Sequence, residues 1–202
     1  MRIPDLRNIL TFPAVYTWFQ RAVRGNGDFV YTTRHIRAEE GDRVLDIGCG
    51  TGEILRHMPK VDYFGFDMDE KFIGAANEAY GNRGTFLCRH LAEDAVGDFS
   101  TFDIVCATGV LHHLDDEEAG ELFRLARRAL KPGRRLVTLD SCFVDGQSFL
   151  TRFTSSIDRG KYVRKSDEYV ALASQVFREV KPTIYPALFR IPQFVIIMEC
   201  RD

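Results

Sequence analysis

"RVLDIGCGTGEIL", Arg43 to Leu55, runs from an apolar, β-branched stretch ending in a carboxylate into glycines at the alternate positions 48, 50 and 52, and then into a helix-like pattern. Read as strand, turn and helix start, it lets backbone approach a ligand closely, because glycine has no side chain and reaches positive φ. Two phosphate-binding readings fail on spacing. A dinucleotide fingerprint that begins at Gly48 and Gly50 needs its third glycine where Glu53 stands. That carboxylate would also repel a pyrophosphate from the helix N-terminus it needs. A P-loop needs Gly-Lys-Ser/Thr, and none follows.

Working outward, short apolar runs alternate with helical patterns. Arg43–Gly48, Val61–Asp67, Thr85–His90, Phe102–Thr108 and Arg134–Asp140 read as strands. Helices are predicted from Gly52 to Met58, stopped by Pro59, and from a cap at Asp69 to Tyr80. Another begins at a capping box of Asp115 and Glu118 and buries Leu122, Leu125, Ala126 and Ala129. Helical stretches at Gln147–Ile157 and Asp167–Phe177 precede "EVKPTIY" and "QFVIIMEC", which lie too close together for a crossover and are predicted to pair as an antiparallel hairpin. This alternation predicts an α/β doubly wound sheet. Residues 1–40 are predicted as a helical leader, with Val15, Trp18, Phe19 and Ala22 at helical spacing, and residues 41–202 as the main domain.

The 202 residues are 45% apolar and 28% charged, enough for one globular domain with a sizeable core. A formal net charge of −2, with no aromatic platform interleaved with Lys and Arg, argues against nucleic acid as partner. Residues 1–37 are basic, with Arg2, Arg7, Arg21, Arg24, Arg34 and Arg37 against Asp5 and Asp28. Five cysteines, Cys88, Cys106 and Cys200 among them, read as small reduced core residues and point to the cytoplasm. No signal-peptide core or transmembrane segment is seen.

The ligand read from these carboxylates lacks phosphates. Asp46, inside the first strand, either holds an ammonium group or braces the loop. Asp67, closing the second strand, stands where a carboxylate accepts from ribose hydroxyls. An adenosine ribose with an ammonium and no phosphate suggests S-adenosylmethionine. At this point the sequence resembles the class I S-adenosylmethionine-dependent methyltransferases. "VLDIGCGTG" matches their glycine-rich motif, "GFDMDEKFIGAA" the ribose segment, "FDIVCATGVLHHL" the fourth strand and its loop, and "RRALKPGRRLV" the entry to the fifth strand. The four occur in family order over roughly Gly41 to Asp140.

The resemblance implies a Rossmann-like sheet of seven strands, the last antiparallel, and S-adenosyl-L-methionine as cofactor. It places Gly48, Cys49, Gly50 and Gly52 around the methionine portion, Asp67 on the ribose and Met68 against the adenine. Leu91 and Ala92 would flank the base, and Thr108 would close the site. "RHLAED" lacks the acidic residue that many relatives use for the adenine amino group, and "KPGRR" carries Arg134 where relatives often have glycine.

The chemistry needs an aligned nucleophile, excluded water and, for an oxygen or carbon acceptor, a proton acceptor. His112 and His113 follow the fourth strand. Either an imidazole there is the base, or "LHHL" is a structural loop. Gly109 and His112 occupy positions that are acidic in metal-binding relatives, so no metal is predicted. Asp140 and Asp145 either face the pocket or serve turns. Arg152, Arg159, Lys161 and Arg164 suggest a carboxylate or phosphate on the acceptor, against the alternative of a solvated face. Tyr162 and Tyr169 wall a pocket or pack, and Tyr16, Trp18 and Phe19 form a lid or pack. The Asn-Pro-Pro-Tyr signature of amino-group methylation is absent, since the fourth strand ends "ATGV". The expectation is a methyltransferase for a small-molecule acceptor, with oxygen as the acceptor atom. The alternatives are a protein or lipid-linked acceptor, or a cofactor-binding regulatory module.

Overall fold

The computed structural model describes residues 13–89, 101–147 and 160–202, except for the side chains of 13–16, 19 and 20. Seven strands form one sheet: β1 (Arg43–Ile47), β2 (Asp62–Asp67), β3 (Gly84–Cys88), β4 (Phe102–Thr108), β5 (Leu130–Ser141), β6 (Glu179–Tyr185) and β7 (Val195–Arg201), in the order β3-β2-β1-β4-β5-β7-β6. β1 to β5 run parallel, and β7 lies antiparallel to both β5 and β6. The order reverses between β1 and β4, and at such a switch point the carboxyl ends of strands open a crevice. Ile47, Asp67 and Thr108 stand at that edge.

The strands are apolar on both sides because both faces are covered. Along β1, Leu45 and Ile47 enter one core with α4 (Asp116–Ala129) and α5 (Ser166–Ser174). Val44 enters the other, with Tyr31, Leu55, Ile73 and Phe86. Asp46 shares the Val44 face and is 1% exposed. On that face the leader forms α1 (Pro13–Arg24), the short α2 (Gly27–Val30) and a π turn at Tyr31–Ile36, and α3 (Glu70–Tyr80) follows β2. Past the π turn the leader is tied to the antiparallel edge: His35 lies 3.0 Å from Glu199 and 2.9 Å from the Tyr185 hydroxyl, and Arg37 pairs with Glu199. Burial alone would raise the Glu199 carboxyl, but these donors hold it below its usual range.

The helix starts follow the local chemistry. Asp69 accepts from the Lys71 N–H at 2.9 Å, and Asp115 and Glu118 close a reciprocal capping box. Four expectations are corrected. The helix predicted at Gly52–Met58 is a single 3-10 turn, Glu53–His57, because Pro59 leaves no room for more. β3 ends at Cys88, which is exposed rather than core. β5 begins at Leu130, which already pairs with Phe102, and an irregularity at Lys131–Arg134 separates that pair from Ile104 and Arg135. Trp18 is 71% exposed, so it takes no part in the core. Most of the predicted helix at Gln147–Ile157 lies outside the described residues. Among the described residues no helix is long and apolar enough to cross a membrane.

Candidate functional site

The loop after β1 curls back over its own strand. Gly48 has φ +68° and a Cβ there would stand 2.5 Å from Val110, whereas a Cβ on Gly50, φ +53°, would meet nothing within 4 Å. The first glycine is needed for packing. The second leaves backbone open to the cleft. Asp67 holds the loop: its Oδ2 accepts from the Gly50 N–H and its Oδ1 from the Asp69 N–H, each at 2.9 Å. A carboxylate oxygen has two lone pairs, so each keeps one to offer a ligand. Met68, next along, is 65% exposed and presents an apolar surface beside that carboxylate. Cys49 packs inward against Gly65, and burial pushes its thiol far above the usual range, so it contributes a wall and no nucleophile.

Asp46 lines the same cleft, with Gly48, Gly50, Thr51 and Thr108. Its Oδ2 accepts from the Tyr63 hydroxyl, while Oδ1 is buried with no hydrogen-bond partner. Burial raises the carboxyl to about 7; Tyr63 lowers it, Asp67 raises it and Arg24 lowers it. An unpartnered oxygen on a buried carboxylate fits a ligand cation better than a role as mere loop brace.

The leader forms the opposite wall. Arg21 grips Glu53 through two hydrogen bonds of 2.7 and 2.9 Å, the Tyr80 hydroxyl joins at 3.1 Å, and Thr17 donates to Thr51 at 3.1 Å. Arg24 and Asp28, paired at 2.8 Å, line the cleft itself. Sequence reasoning missed both. The one available signal was their i,i+4 spacing, which reads equally well as helix support.

At the ends of β4 and β5, His112 and Asp140 are buried together. The Nδ1 of His112 lies 2.9 Å from Asp140 Oδ1, which also accepts the His112 N–H at 3.2 Å. This favours the tautomer that donates from Nδ1 and leaves the lone pair on Nε2. Cε1 of the ring lies 3.6 Å from the point where a Gly109 Cβ would stand, and Arg24 Nη2 is 3.6 Å from the same point. The imidazole therefore packs beside Gly109, the neighbour of the cleft residue Thr108, and is itself only 4% exposed. His113 is exposed and stacks on His112 with centroids 4.2 Å apart.

Residues 160–165 strap this pair down. The Tyr162 N–H donates to the His112 carbonyl at 2.9 Å, and the Phe143 N–H to the Arg164 carbonyl at 3.0 Å. A Cβ on Gly160 would sit 2.1 Å from His112 Cδ2 and 2.6 Å from its carbonyl oxygen. Gly160→Ala is therefore expected to destabilise the fold by about 1–3 kcal/mol, read as a lower melting temperature. An unchanged melt would mean that the strap does not press on the histidine.

Arg164 corrects an expectation. It is 7% exposed, and all five of its N–H groups are used, on the Leu111, Leu114 and Tyr162 carbonyls and twice on Asp116. It clamps the strap to the histidine loop and has no donor left for an acceptor's anion. Tyr169 is fully buried with its hydroxyl on the Ser141 carbonyl, so it packs; Asp145 pairs with Lys165 at the surface. Tyr162 is 42% exposed beside His112. Leu91, Ala92, Arg152 and Arg159 lie outside the described residues, as does the side chain of Tyr16.

A glycine turn and two strand-end carboxylates at the switch point of a parallel sheet with an antiparallel β7 define a Rossmann-like nucleoside-binding fold. Residues 44–133 match a family described as "Methyltransferase domain". An uncharacterized methyltransferase of Geobacillus is 28% identical over 149 residues, 69% of this chain and 65% of that protein. The 27-O-demethylrifamycin SV methyltransferase of Amycolatopsis mediterranei is 38% identical over 112 residues, 52% of this chain and 40% of that one. The chain thus spans less than two thirds of these relatives. The fold matches phosphoethanolamine N-methyltransferase 2 of Haemonchus contortus, solved with phosphomonomethylethanolamine and S-adenosylhomocysteine, with TM-score 0.74 at 17% identity over 99% of this chain and 60% of that one. Over residues 44–133 the chain is thus similar to the methyltransferase-domain family, and its fold is that of solved methyltransferases.

Proposed function

We propose that the protein methylates a hydroxyl group of a small molecule, with His112, held by Asp140, accepting the proton. The observation that carries this reading is the buried His112–Asp140 pair at the ends of β4 and β5, packed beside Gly109 next to the cleft residue Thr108. S-adenosylmethionine, when bound, supplies an electrophilic methyl group on a sulfonium. The chain's own residues then have three tasks. Asp46 and the loop Gly48, Cys49, Gly50 and Gly52 receive the amino-acid end, Asp67 the ribose, Met68 the base, and Thr108 closes the strand end. The described part of the leader, residues 13–40, shields the cleft of the domain 41–202 from water through the Thr17, Arg21 and Arg24 contacts. His112 takes the hydroxyl proton at Nε2 while Asp140 holds the Nδ1 proton and steadies the imidazolium.

The relatives support methyl transfer without fixing the acceptor, since one is named for an oxygen and another for a nitrogen. With Arg164 committed to the strap, the case for an anionic acceptor no longer rests on it. Methyl-labelled cofactor incubated with an extract freed of macromolecules is expected to give a labelled ether or ester. Label found only in protein or lipid would overturn the small-molecule reading.

For the ribose, Asp67→Ala is expected to weaken S-adenosylhomocysteine binding roughly 10–100-fold, about 1.5–3 kcal/mol for a lost charge-assisted hydrogen bond. Calorimetry reads it, and an unchanged affinity would place the ribose elsewhere.

A further inference from the structure

The two halves of the His112–Asp140 pair arrive on different strands, and Arg164 lies between them. His112 is carried by a single 3-10 turn after β4, Leu111–His113, and Asp140 by the end of β5. A turn that short has little stiffness of its own, with only the Leu114 N–H on the Leu111 carbonyl at 3.2 Å and the His113 N–H on the Val110 carbonyl at 2.9 Å. Arg164 grips it on both sides of the histidines. Its Nη1 donates to the Leu111 carbonyl at 2.9 Å and its Nη2 to the Leu114 carbonyl at 2.7 Å. Asp116 Oδ1 accepts from Nε and Nη2 at 2.9 and 2.8 Å, which fixes the rotation of the fork.

The same residue holds the other half. The Arg164 carbonyl accepts from the Phe143 N–H at 3.0 Å, just past Asp140 in the chain. Its Cζ lies 5.6 Å from the centre of the Tyr169 ring, whose hydroxyl donates to the carbonyl of Ser141, the residue that follows Asp140. The separation of imidazole and carboxylate is thus spanned by one side chain and one stretch of backbone. An ammonium group could not replace the guanidinium, because its donors radiate from one point and cannot reach two carbonyls and a carboxylate in a plane. We propose that Arg164 is a positioning residue for methyl transfer, setting the distance and orientation of His112 relative to Asp140 while touching neither cofactor nor acceptor. The inference rests on the reading of His112 as proton acceptor. It adds that the alignment of the base is held from outside the two strands that carry the pair.

Arg164→Lys keeps the charge and loses the fork. It is expected to lower kcat roughly 10–100-fold, the effect of misplacing a reacting group by about an ångström, with the acceptor's KM and the affinity for S-adenosylhomocysteine little changed. The deciding measurement repeats the substitution in His112→Asn. There it should cost no further rate, since a base already removed cannot be misaligned, although the melting temperature falls in both backgrounds. The same fractional loss of kcat in both backgrounds, or wild-type turnover in Arg164→Lys, would overturn the proposal. Should Arg164→Lys fail to fold, Asp116→Ala loosens the fork from its exposed side, where that carboxylate is 77% exposed. It should lower kcat about 2–10-fold in the wild-type background and not in His112→Asn. An unaltered rate, or an equal loss in both, counts against the proposal. Full turnover in His112→Asn would remove the proton-acceptor reading itself. A large loss in that variant without coupling to Arg164 would remove only the positioning role.

Discussion

His112→Asn should lower the rate of methyl transfer roughly 100- to 10,000-fold, the usual contribution of a positioned general base, while leaving cofactor affinity unchanged. Asparagine is the informative replacement because its amide N–H can face Asp140 where Nδ1–H did. The buried carboxylate keeps a donor, so the fold does not suffer from an uncompensated charge. What disappears is the proton acceptor at Nε2. Asp140→Asn attacks the same function from behind. Its amide lacks the charge that steadies the imidazolium, and its NH2 can turn to donate toward Nδ1 and favour the other tautomer, so the rate should fall with KM little changed. Single-turnover rates measured across pH separate this from packing damage: a structural role moves the melting temperature and leaves both rate and pH profile intact. Full turnover in His112→Asn would remove the histidine from the reaction. His113→Asn serves as the comparison, since that ring is exposed, and a larger loss there would transfer the role to it.

The sequence made the sheet legible because its rules are local. Short apolar runs, the Asp69 cap, the Asp115–Glu118 box and the short link between the last two strands each act within a few residues, and each reappears in the structure. The errors came where distant partners decide. Leu130 joins β5 because Phe102 pairs with it, although the "KPG" that directly follows it reads as a stop. Arg164 sits in a run of charges that looks solvated, but the carbonyls of Leu111 and Leu114, some fifty residues earlier, draw it inside.

The site divides in the same way. Asp46, Asp67 and the glycines lie within one strand-turn-strand stretch, so spacing found them. Arg24 lies far upstream and reaches the cleft only because the leader folds across the sheet. Asp140 was visible as a carboxylate ending an apolar strand, which implies a buried charge in need of a donor. That the donor is His112 depends on β4 and β5 being neighbours, a fact of topology rather than of spacing.

Asp46→Asn should make the cofactor-free protein more stable at about pH 8, by a few kcal/mol, and the gain should vanish near pH 4. Burial raises this carboxyl to about 7 in the folded chain, whereas the unfolded chain titrates near the usual ~3.9. The folded state therefore binds the proton more tightly. The favourable contribution is complete below about pH 4, is lost as pH climbs toward 7, and stays lost above. At roughly 1.4 kcal/mol per unit, ionising Asp46 inside the protein costs on the order of 4 kcal/mol at the alkaline end. Asparagine escapes that penalty and still accepts the Tyr63 hydroxyl. The same change removes the negative charge that would meet the cofactor's ammonium, so S-adenosylhomocysteine affinity should drop roughly 10–100-fold at neutral pH. Wild-type affinity should decline as pH falls below about 7, because a cation at Asp46 requires the ionised form, and binding near that pH should release a proton. Urea melts at two pH values check the first half; calorimetry in buffers of different ionisation enthalpy checks the second. A variant less stable than wild type under alkaline conditions, or a wild-type affinity indifferent to pH, would mean that Asp46 braces the loop. If both halves hold, the chain keeps a destabilising carboxylate in its core because binding the cofactor needs the charge there.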